Sequence, residues 1–314
     1  MKNFFRAVWQ FCSYLFWPRW GGKSNNSTMS VNDHQKENNR IYALHCEVLD
    51  AIYEAFNMMS KKDYNAFVLF IGRAAILPGL EKVIGTDCVI DDKLDTYYDK
   101  TRTDFYLRYL NRNYVRDGFR YEGENGIDDL HIELMIYTHL WDSTYFLKAL
   151  VRIASIVSGK GYDWDPTVNW WRKEEKMKEC IIEPLKRSGL KLGDLIEKCY
   201  IARVRNAFAH SLYNIDTERR IIYFRSDKEH CKKGESQILT IPFDDFQKIF
   251  LLSSILMNKM ENELERNHDS ACAKNTALTE VFTTPDGVDV QVYGKMVKRG
   301  TYIVPEFSLV KIIK

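Results

Sequence analysis

The sequence predicts a mainly α-helical protein that carries a β-hairpin insertion and a small C-terminal β-meander. Apolar residues recur at three- and four-residue spacings through most of residues 38–267, as they do on one face of a helix. Two short stretches rich in β-branched residues, at 220–225 and 237–241, flank a polar loop and predict the hairpin. The composition then changes, because residues 279–314 are rich in Val, Thr, Ile and Tyr, which favour strands.

The helices are expected in order along the chain. The apolar spacing and the positions of Pro and Gly give their bounds as 38–60, 63–77, 91–113, 128–158, 169–187, 191–213 and 242–267. The second helix ends at Pro78-Gly79, and Pro184 kinks or breaks the fifth. The helix at 128–158 is apolar nearly all round, which predicts a central buried helix.

These patterns divide the chain into four parts. We expect an aromatic N-terminal appendage at 1–28, a polar linker at 29–39, a helical domain at 40–268 with its hairpin at about 219–241, and a β extension at 279–314. Turn signals in residues 284–287 and 298–300 divide that extension into three or four strands.

The appendage allows two interpretations. Its apolar run between Arg6 and Pro18 is too short to span a bilayer, and it lacks the small-residue cleavage site of a secretory signal. A short amphipathic helix would lie on a partner, or on a membrane through residues 1–20. Alternatively, the segment is an appendage that the core does not need, and Met29 in the polar stretch is the true start.

Length and composition are those of an ordinary globular protein. A chain of 314 residues with 45% hydrophobic and 28% charged residues can bury a sizeable core. The formal net charge of +2 excludes a bulk polyanion binder, so any contact with RNA depends on a local basic patch. Arg203, Arg219 and Arg220 are the candidates for RNA contact, although a solvated basic loop is an equally ordinary interpretation of this cluster.

The cysteines and the common cofactor motifs point to a protein without metal or cofactor. The seven cysteines are odd in number and no two are closely paired, so neither a disulfide framework nor a zinc knuckle is indicated. Reduced thiols fit a cytoplasmic protein best. No Walker loop, GxGxxG, HExxH or GxSxG motif occurs in the sequence.

The most informative stretch is Arg205-Asn206-Ala207-Phe208-Ala209-His210. Arginine offers a fixed guanidinium fork to phosphate oxygens, and histidine gives or takes a proton near neutral pH. Together they suit the binding and cleavage of a phosphodiester without a metal. A short Arg-to-His spacing also occurs by chance on surface helices, where the Arg pairs with a carboxylate and the His is solvated.

The helix that carries this motif is expected to have two different faces. At about 100° per residue, Asn206, His210 and Tyr213 fall roughly opposite the apolar face and are neighbours on the helix surface. The small residues Ala202 and Ala209 lie between the two faces and would let another backbone come close. This arrangement predicts a homodimer through the motif helix.

The motif resembles the signature of the HEPN superfamily (higher eukaryotes and prokaryotes nucleotide-binding). That signature is an Arg, four to six residues and a His late in a helix, often with a polar residue directly after the Arg; here Asn206 follows Arg205, and His210 comes after a spacer of four. A second segment, 139–164, resembles the preceding long helix of bacterial plasmid-borne and defence-associated members. The resemblance covers roughly residues 38–268.

The resemblance implies an HEPN-like helical bundle and metal-independent RNA cleavage by a homodimer whose two motif helices face each other. It implies Arg205, Asn206 and His210 as catalytic residues. Many members are toxins or abortive-infection proteins, so a cognate antitoxin is an implied partner. One subgroup has Tyr two residues after the His, whereas Tyr213 stands three after His210, so that subgroup's control by tyrosine AMPylation is not carried over.

Two polar residues in the predicted buried helix are candidates for a supporting role. His139 and Asp142 are three apart and would need partners if buried. In one interpretation both are satisfied locally. In the other, the pair lies against the motif helix and orients Arg205 or His210, since a carboxylate bonded to one ring nitrogen would fix the tautomer of the His and raise its pKa.

Three hypotheses of function follow. The first is a metal-independent endoribonuclease, in which His210 is the general base or general acid and Arg205 stabilises the phosphorane. The second is a binding module that recognises a nucleotide, RNA or a protein through the same face without chemistry. The third is a structural dimer that Asn206 and His210 only hold together. An accessible face beside His210 is needed for the first.

Overall fold

The computed structural model describes residues 31–72, 109, 125–163, 166–170, 172–226, 236–274, 277–283, 289–299 and 302–313. The predicted appendage at 1–28 lies outside the described residues. So does the predicted helix at 91–113, apart from Tyr109.

Helices make up most of the described chain, as predicted. They are α1 (Val31–Lys62), α2 (Tyr64–Ile71), α3 (Asn125–Leu140), α4 (Thr144–Val157), α5 (Lys173–Met177), a π-helical turn (Lys178–Ile182), α6 (Glu183–Arg187), α7 (Lys191–Cys199), α8 (Ala202–Ala209) and α9 (Phe243–Ala273). α1 begins at Val31, earlier than the predicted helix start at 38, and so includes most of the stretch expected as a polar linker at 29–39. Residues 32–39 are polar but contain no Pro or Gly that would interrupt a helix.

The hydrophobic core lies between α1, α3, α4, α7 and α9. α9 packs against α1, α3 and α7, and α1 also packs against α4 and α7. The largest fully buried side chains in this region include Tyr137, Trp141, Phe146, Phe246 and Phe250. α8 packs against α3, so the motif helix is positioned by one of the core helices.

The single buried helix predicted at 128–158 is wrong, because the chain breaks between α3 and α4. Ser143 has an extended backbone and is the N-cap of α4, where its hydroxyl accepts the N–H of Phe146 at 3.3 Å. Trp141 is fully buried and donates its indole N–H to Ser253 of α9 at 3.2 Å. The cap and this contact favour the break, which leaves Asp142 half-buried at the edge of the core.

The single motif helix predicted at 191–213 is also wrong, because it divides into α7 and α8. The hydroxyl of Tyr137, on α3, donates to the carbonyl of Cys199 at 2.8 Å and accepts the N–H of Ile201 at 2.8 Å. Both backbone groups flank the break and receive from this side chain the hydrogen bonds that a continuous helix would have supplied.

Two antiparallel sheets complete the fold. The predicted hairpin is confirmed by β2 (Ile221–Arg225) and β3 (Ile238–Pro242), and β1 (Tyr213–Asp216) adds a third strand in the order β1-β2-β3. The predicted C-terminal meander is confirmed by β4 (Ala277–Thr283), β5 (Asp289–Arg299) and β6 (Tyr302–Ile313), which pair in sequence order. Within the described ranges, no helix is both long enough and apolar enough to traverse a bilayer.

Candidate functional site

α8 is a short helix whose side chains divide between the core and solvent. Val204 and Ala207 are buried, whereas Asn206, Ala209 and His210 are exposed. We call the surface formed by these three exposed residues the open face of α8. Ala202 is buried, so of the two small residues expected to admit a second backbone, only Ala209 lies on the open face.

The C-terminal end of α8 fixes the backbone of His210, which is the C-cap residue. Leu212 donates its N–H to the carbonyl of Ala207 at 2.7 Å, and Ser211 donates to the carbonyl of Phe208 at 3.1 Å. This pair of bonds is a Schellman motif, in which the residue after the cap adopts the left-handed conformation. Ser211 does so with φ of 55°. The motif ends the helix and leaves His210 exposed at its last turn.

Arg205 is clamped by the carboxylate of Asp142. Its Nε lies 3.0 Å from Oδ1 and 3.2 Å from Oδ2, and its Nη2 lies 2.7 Å from Oδ1. The two side chains are only 26% and 30% exposed. Two N–H groups on one edge of the guanidinium bind this carboxylate and fix the guanidinium plane, as in a bidentate pair. The break between α3 and α4 therefore brings a carboxylate to the motif helix.

Lys173, the first residue of α5, binds the same carboxylate. Its Nζ lies 2.5 Å from Oδ1 of Asp142, and its side chain is 13% exposed. Burial lowers the pKa of Lys173, the hydrogen bond and charge of Asp142 oppose that shift, and the charge of Arg205 adds to it. Lys173 could not be singled out from the sequence, because nothing in its local pattern distinguishes it from a solvated lysine.

Asn206 connects Arg205 with His210. Its side-chain oxygen accepts Nη1 of Arg205 at 2.8 Å, and its carbonyl accepts the N–H of His210 at 3.1 Å. The ring of His210 makes no hydrogen bond to another residue of the described ranges. Arg205 therefore turns its Nη1 edge toward the open face, where an exposed amide and an exposed imidazole stand one helical turn apart.

Tyr213 lies beside a second histidine that the sequence analysis missed. Its hydroxyl is 2.9 Å from Nδ1 of His131 on α3, and its ring stacks on Phe208 with centroids 5.4 Å apart. Burial raises the pKa of Tyr213. Only the packing of α3 against α8 joins residues this far apart in sequence, so no local motif signals the pair.

His139 is not brought to the motif through its ring. Its carbonyl accepts the N–H of Asp142 at 3.2 Å. Within the described part of the chain, its ring makes no hydrogen bond to Arg205 or His210. Of the two residues considered as supports, Asp142 contacts the motif helix directly, and its partner there is Arg205.

A buried hydroxyl without a partner lies close to the clamp. Tyr200, between α7 and α8, is 8% exposed, and its hydroxyl has no hydrogen bond within the described residues. Burial raises the pKa of Tyr200, and the charge of Arg205 opposes that shift. Its ring packs on Trp141 with centroids 5.3 Å apart.

The three arginines predicted to contact RNA do not form one patch. Arg203 donates to the hydroxyl of Ser226 at 3.1 Å and to the carbonyl of Ser236 at 2.9 Å, where β2 ends and β3 begins. Arg219 and Arg220 lie in the turn at the opposite end of β2, about 20 Å away at the usual rise per residue of a strand. Arg203 is nearer the motif in sequence and in structure.

The described residues contain no group of three or more His, Cys, Asp or Glu side chains that could hold a metal ion. A comparison with protein-family models gives no match, and comparisons with curated proteins and with solved structures give none either. The geometry of the site and the resemblance of the motif are therefore the basis for any proposal of function.

Proposed function

We propose that this protein is a metal-independent endoribonuclease that cleaves RNA over the open face of α8. The observation that carries the proposal is the arrangement of three motif side chains on this short helix. Asn206 and His210 are exposed, and Arg205, held by Asp142, turns its remaining guanidinium edge toward Asn206. An ordered cation, an amide and an imidazole thus border one accessible surface.

This arrangement suits transesterification of an RNA phosphodiester. At about 100° per residue, Arg205 and His210 lie about 140° apart around α8, with Asn206 between them. A phosphate above Asn206 would have the guanidinium on one side and the imidazole on the other. His210 would take the proton of the ribose 2′-hydroxyl or give one to the leaving 5′-oxygen, and Arg205 would stabilise the charge that builds on the phosphorane.

The experiment is RNA cleavage by the purified protein in EDTA. We expect activity in the wild type, and a loss of about 10²–10⁴-fold in His210→Ala, the usual cost of removing a general acid or base. Arg205→Ala should lose activity as well, because the phosphorane would lose its cation. His268→Ala, on α9, is the matched control and should retain activity. Full activity in His210→Ala with normal helical circular dichroism would contradict the proposal.

A specific observation favours a second candidate, a binding module without catalysis. Arg205 is already paired with Asp142 through both Nε and Nη2, which is the usual arrangement of a structural ion pair. In that case the open face would bind RNA, a nucleotide or a protein. RNA that binds the wild-type protein but stays intact in every divalent ion and in EDTA would favour this candidate.

We further propose that the active unit is a homodimer whose two copies meet through the open faces of α8. A two-fold interface brings the same patch of both chains together, so Ala209 of one copy would face the corresponding surface of the other and two motif sets would border one cleft. Cleavage of cellular RNA by such a dimer would suit a toxin or defence protein, and a cognate antitoxin would act by covering this cleft.

A further inference from the structure

One carboxylate oxygen beside the motif helix serves two cations. Oδ1 of Asp142 lies 2.7 Å from Nη2 of Arg205 and 2.5 Å from Nζ of Lys173. Lys173 and Arg205 are therefore close neighbours. The cluster of these two cations and one carboxylate carries one excess positive charge. Asp142 can lose either cation and still keep a partner.

The position of Lys173 is explained by Asp142 and not by the helix that carries it. A cation at the first residue of a helix is disfavoured by the helix dipole, and Lys173 is the first residue of α5. Its side chain is also only 13% exposed, and such burial favours the neutral amine unless a carboxylate is present. Asp142 supplies that carboxylate.

From this sharing we propose that Lys173 is a positioning residue of the ribonuclease, which keeps Asp142 paired while Arg205 transfers its hydrogen bonds from that carboxylate to an RNA phosphate. The inference rests on the proposed function. Before RNA binds, Asp142 holds both cations. Afterwards Arg205 pairs with the phosphate and Lys173 pairs with Asp142, so no half-buried charge is left alone, which would be costly.

Removal of Lys173 makes this exchange unfavourable. Asp142 then has Arg205 as its single cationic partner among the described residues, and the transfer of Arg205 to a phosphate strands a carboxylate that is only 30% exposed. RNA binding therefore becomes weaker. When Asp142 is neutral, no carboxylate can be stranded and Lys173 is no longer needed. The effect of Lys173→Met on RNA binding should therefore depend on whether residue 142 carries a negative charge.

The experiment measures RNA binding by Lys173→Met, Asp142→Asn and the double variant. The probe is a fluorescein-labelled single-stranded oligonucleotide with 2′-O-methyl riboses, which lacks the attacking hydroxyl and stays intact. The control is Lys178→Met, which removes the same charge from a lysine 49% exposed and bonded to Glu174, not to Asp142. Steady-state cleavage of unmodified RNA by the same variants gives kcat and KM separately.

We expect Lys173→Met to weaken binding and raise KM by roughly tenfold or more, the loss of one charge-assisted interaction. We expect a smaller change in kcat, a smaller effect of Lys178→Met, and recovery in Lys173→Arg. In the Asp142→Asn background, Lys173→Met should have no further effect. Lys173→Gln repeats the comparison between the wild-type and Asp142→Asn backgrounds with a neutral polar side chain in place of the lysine.

Two results would overturn the inference alone. In the first, the wild type binds the probe, and Lys173→Met binds it with the same affinity as the control Lys178→Met. In the second, Lys173→Met weakens RNA binding equally in the wild-type and in the Asp142→Asn background. That result would mean that binding depends only on the positive charge of Lys173 and not on its pairing with Asp142. A wild type that does not bind the probe overturns both the exchange and the proposed function.

Discussion

Replacing Tyr137 by Phe removes the hydroxyl that bridges the break between α7 and α8. That hydroxyl holds the carbonyl of Cys199 and the N–H of Ile201, both at 2.8 Å. Each buried backbone group left without a partner costs about 1–3 kcal/mol. Cys199 is fully buried, whereas Ile201 is half-buried and can recover part of its loss from water. We therefore expect the free energy of unfolding to fall by about 2–4 kcal/mol.

Tyr200→Phe is the matched control, because it deletes the same group from a neighbouring buried tyrosine. The hydroxyl of Tyr200 has no hydrogen bond within the described residues, so its removal deprives no partner. We expect no loss of stability, or a gain of up to about 1 kcal/mol. Urea denaturation followed by far-ultraviolet circular dichroism measures both variants. Equal destabilisation by the two substitutions would refute the reasoning that these hydrogen bonds hold the break.

Three further predictions concern the cap of α8, a half-buried histidine and the proposed dimer. Ser211 has φ of 55°, so Ser211→Gly should relieve strain and raise the free energy of unfolding by about 0.5–1 kcal/mol, whereas Ser211→Val should lower it; thermal unfolding measures both. Burial, followed by the charge of Lys259, lowers the pKa of His45 from 6.5 to about 4. Between these values the unfolded chain binds a proton that the folded protein does not, so the free energy of unfolding should decrease by on the order of 2 kcal/mol as the pH falls through this window. His45→Gln should reduce that decrease in urea titrations at several pH values, and an unchanged pH dependence would contradict the assignment. Ala209→Arg would bring two cations together across the two-fold axis, so sedimentation should change from dimer to monomer; a wild type that is monomeric at all concentrations would count against the dimer.

The helical class, the hairpin of β2 and β3, and the C-terminal meander could be predicted because they depend on local patterns, whereas β1 was not predicted. β-branched stretches on either side of a polar loop predicted the hairpin, and β2 and β3 pair there in antiparallel register. The C-terminal turns predicted a meander, and β4, β5 and β6 form one. These patterns need only the residues within each element and its turns.

The two helix breaks could not be predicted from local pattern alone. The apolar spacing continues through residues 141–143 and through 200–201, as it would in an unbroken helix. What favours the breaks is tertiary: the indole of Trp141 reaches α9, and the hydroxyl of Tyr137 reaches the backbone between α7 and α8. Helix propensity is a weak prior when such contacts compete with it.

The candidate site, too, could be predicted from the sequence only in part. The motif itself, from Arg205 to His210, is visible in the sequence, and Asp142 was one of two residues considered for its support. Lys173 and His131 were missed, because Lys173 lies 31 residues from Asp142 and His131 lies 82 residues from Tyr213. No spacing rule joins residues so far apart, and only the tertiary fold brings them together.

The central claim is that the open face of α8 directs a ribose 2′-hydroxyl at the adjacent phosphate. The most direct measurement is mass spectrometry of the ends formed from an RNA oligonucleotide in EDTA, beside the same oligonucleotide with one 2′-deoxy residue at the cleaved position. We predict a 2′,3′-cyclic phosphate and a 5′-hydroxyl from the RNA, no cleavage at the deoxy position, and about 10²–10⁴-fold less product with His210→Ala. Cleavage at the deoxy position, or products that carry 5′-phosphate, would contradict this account.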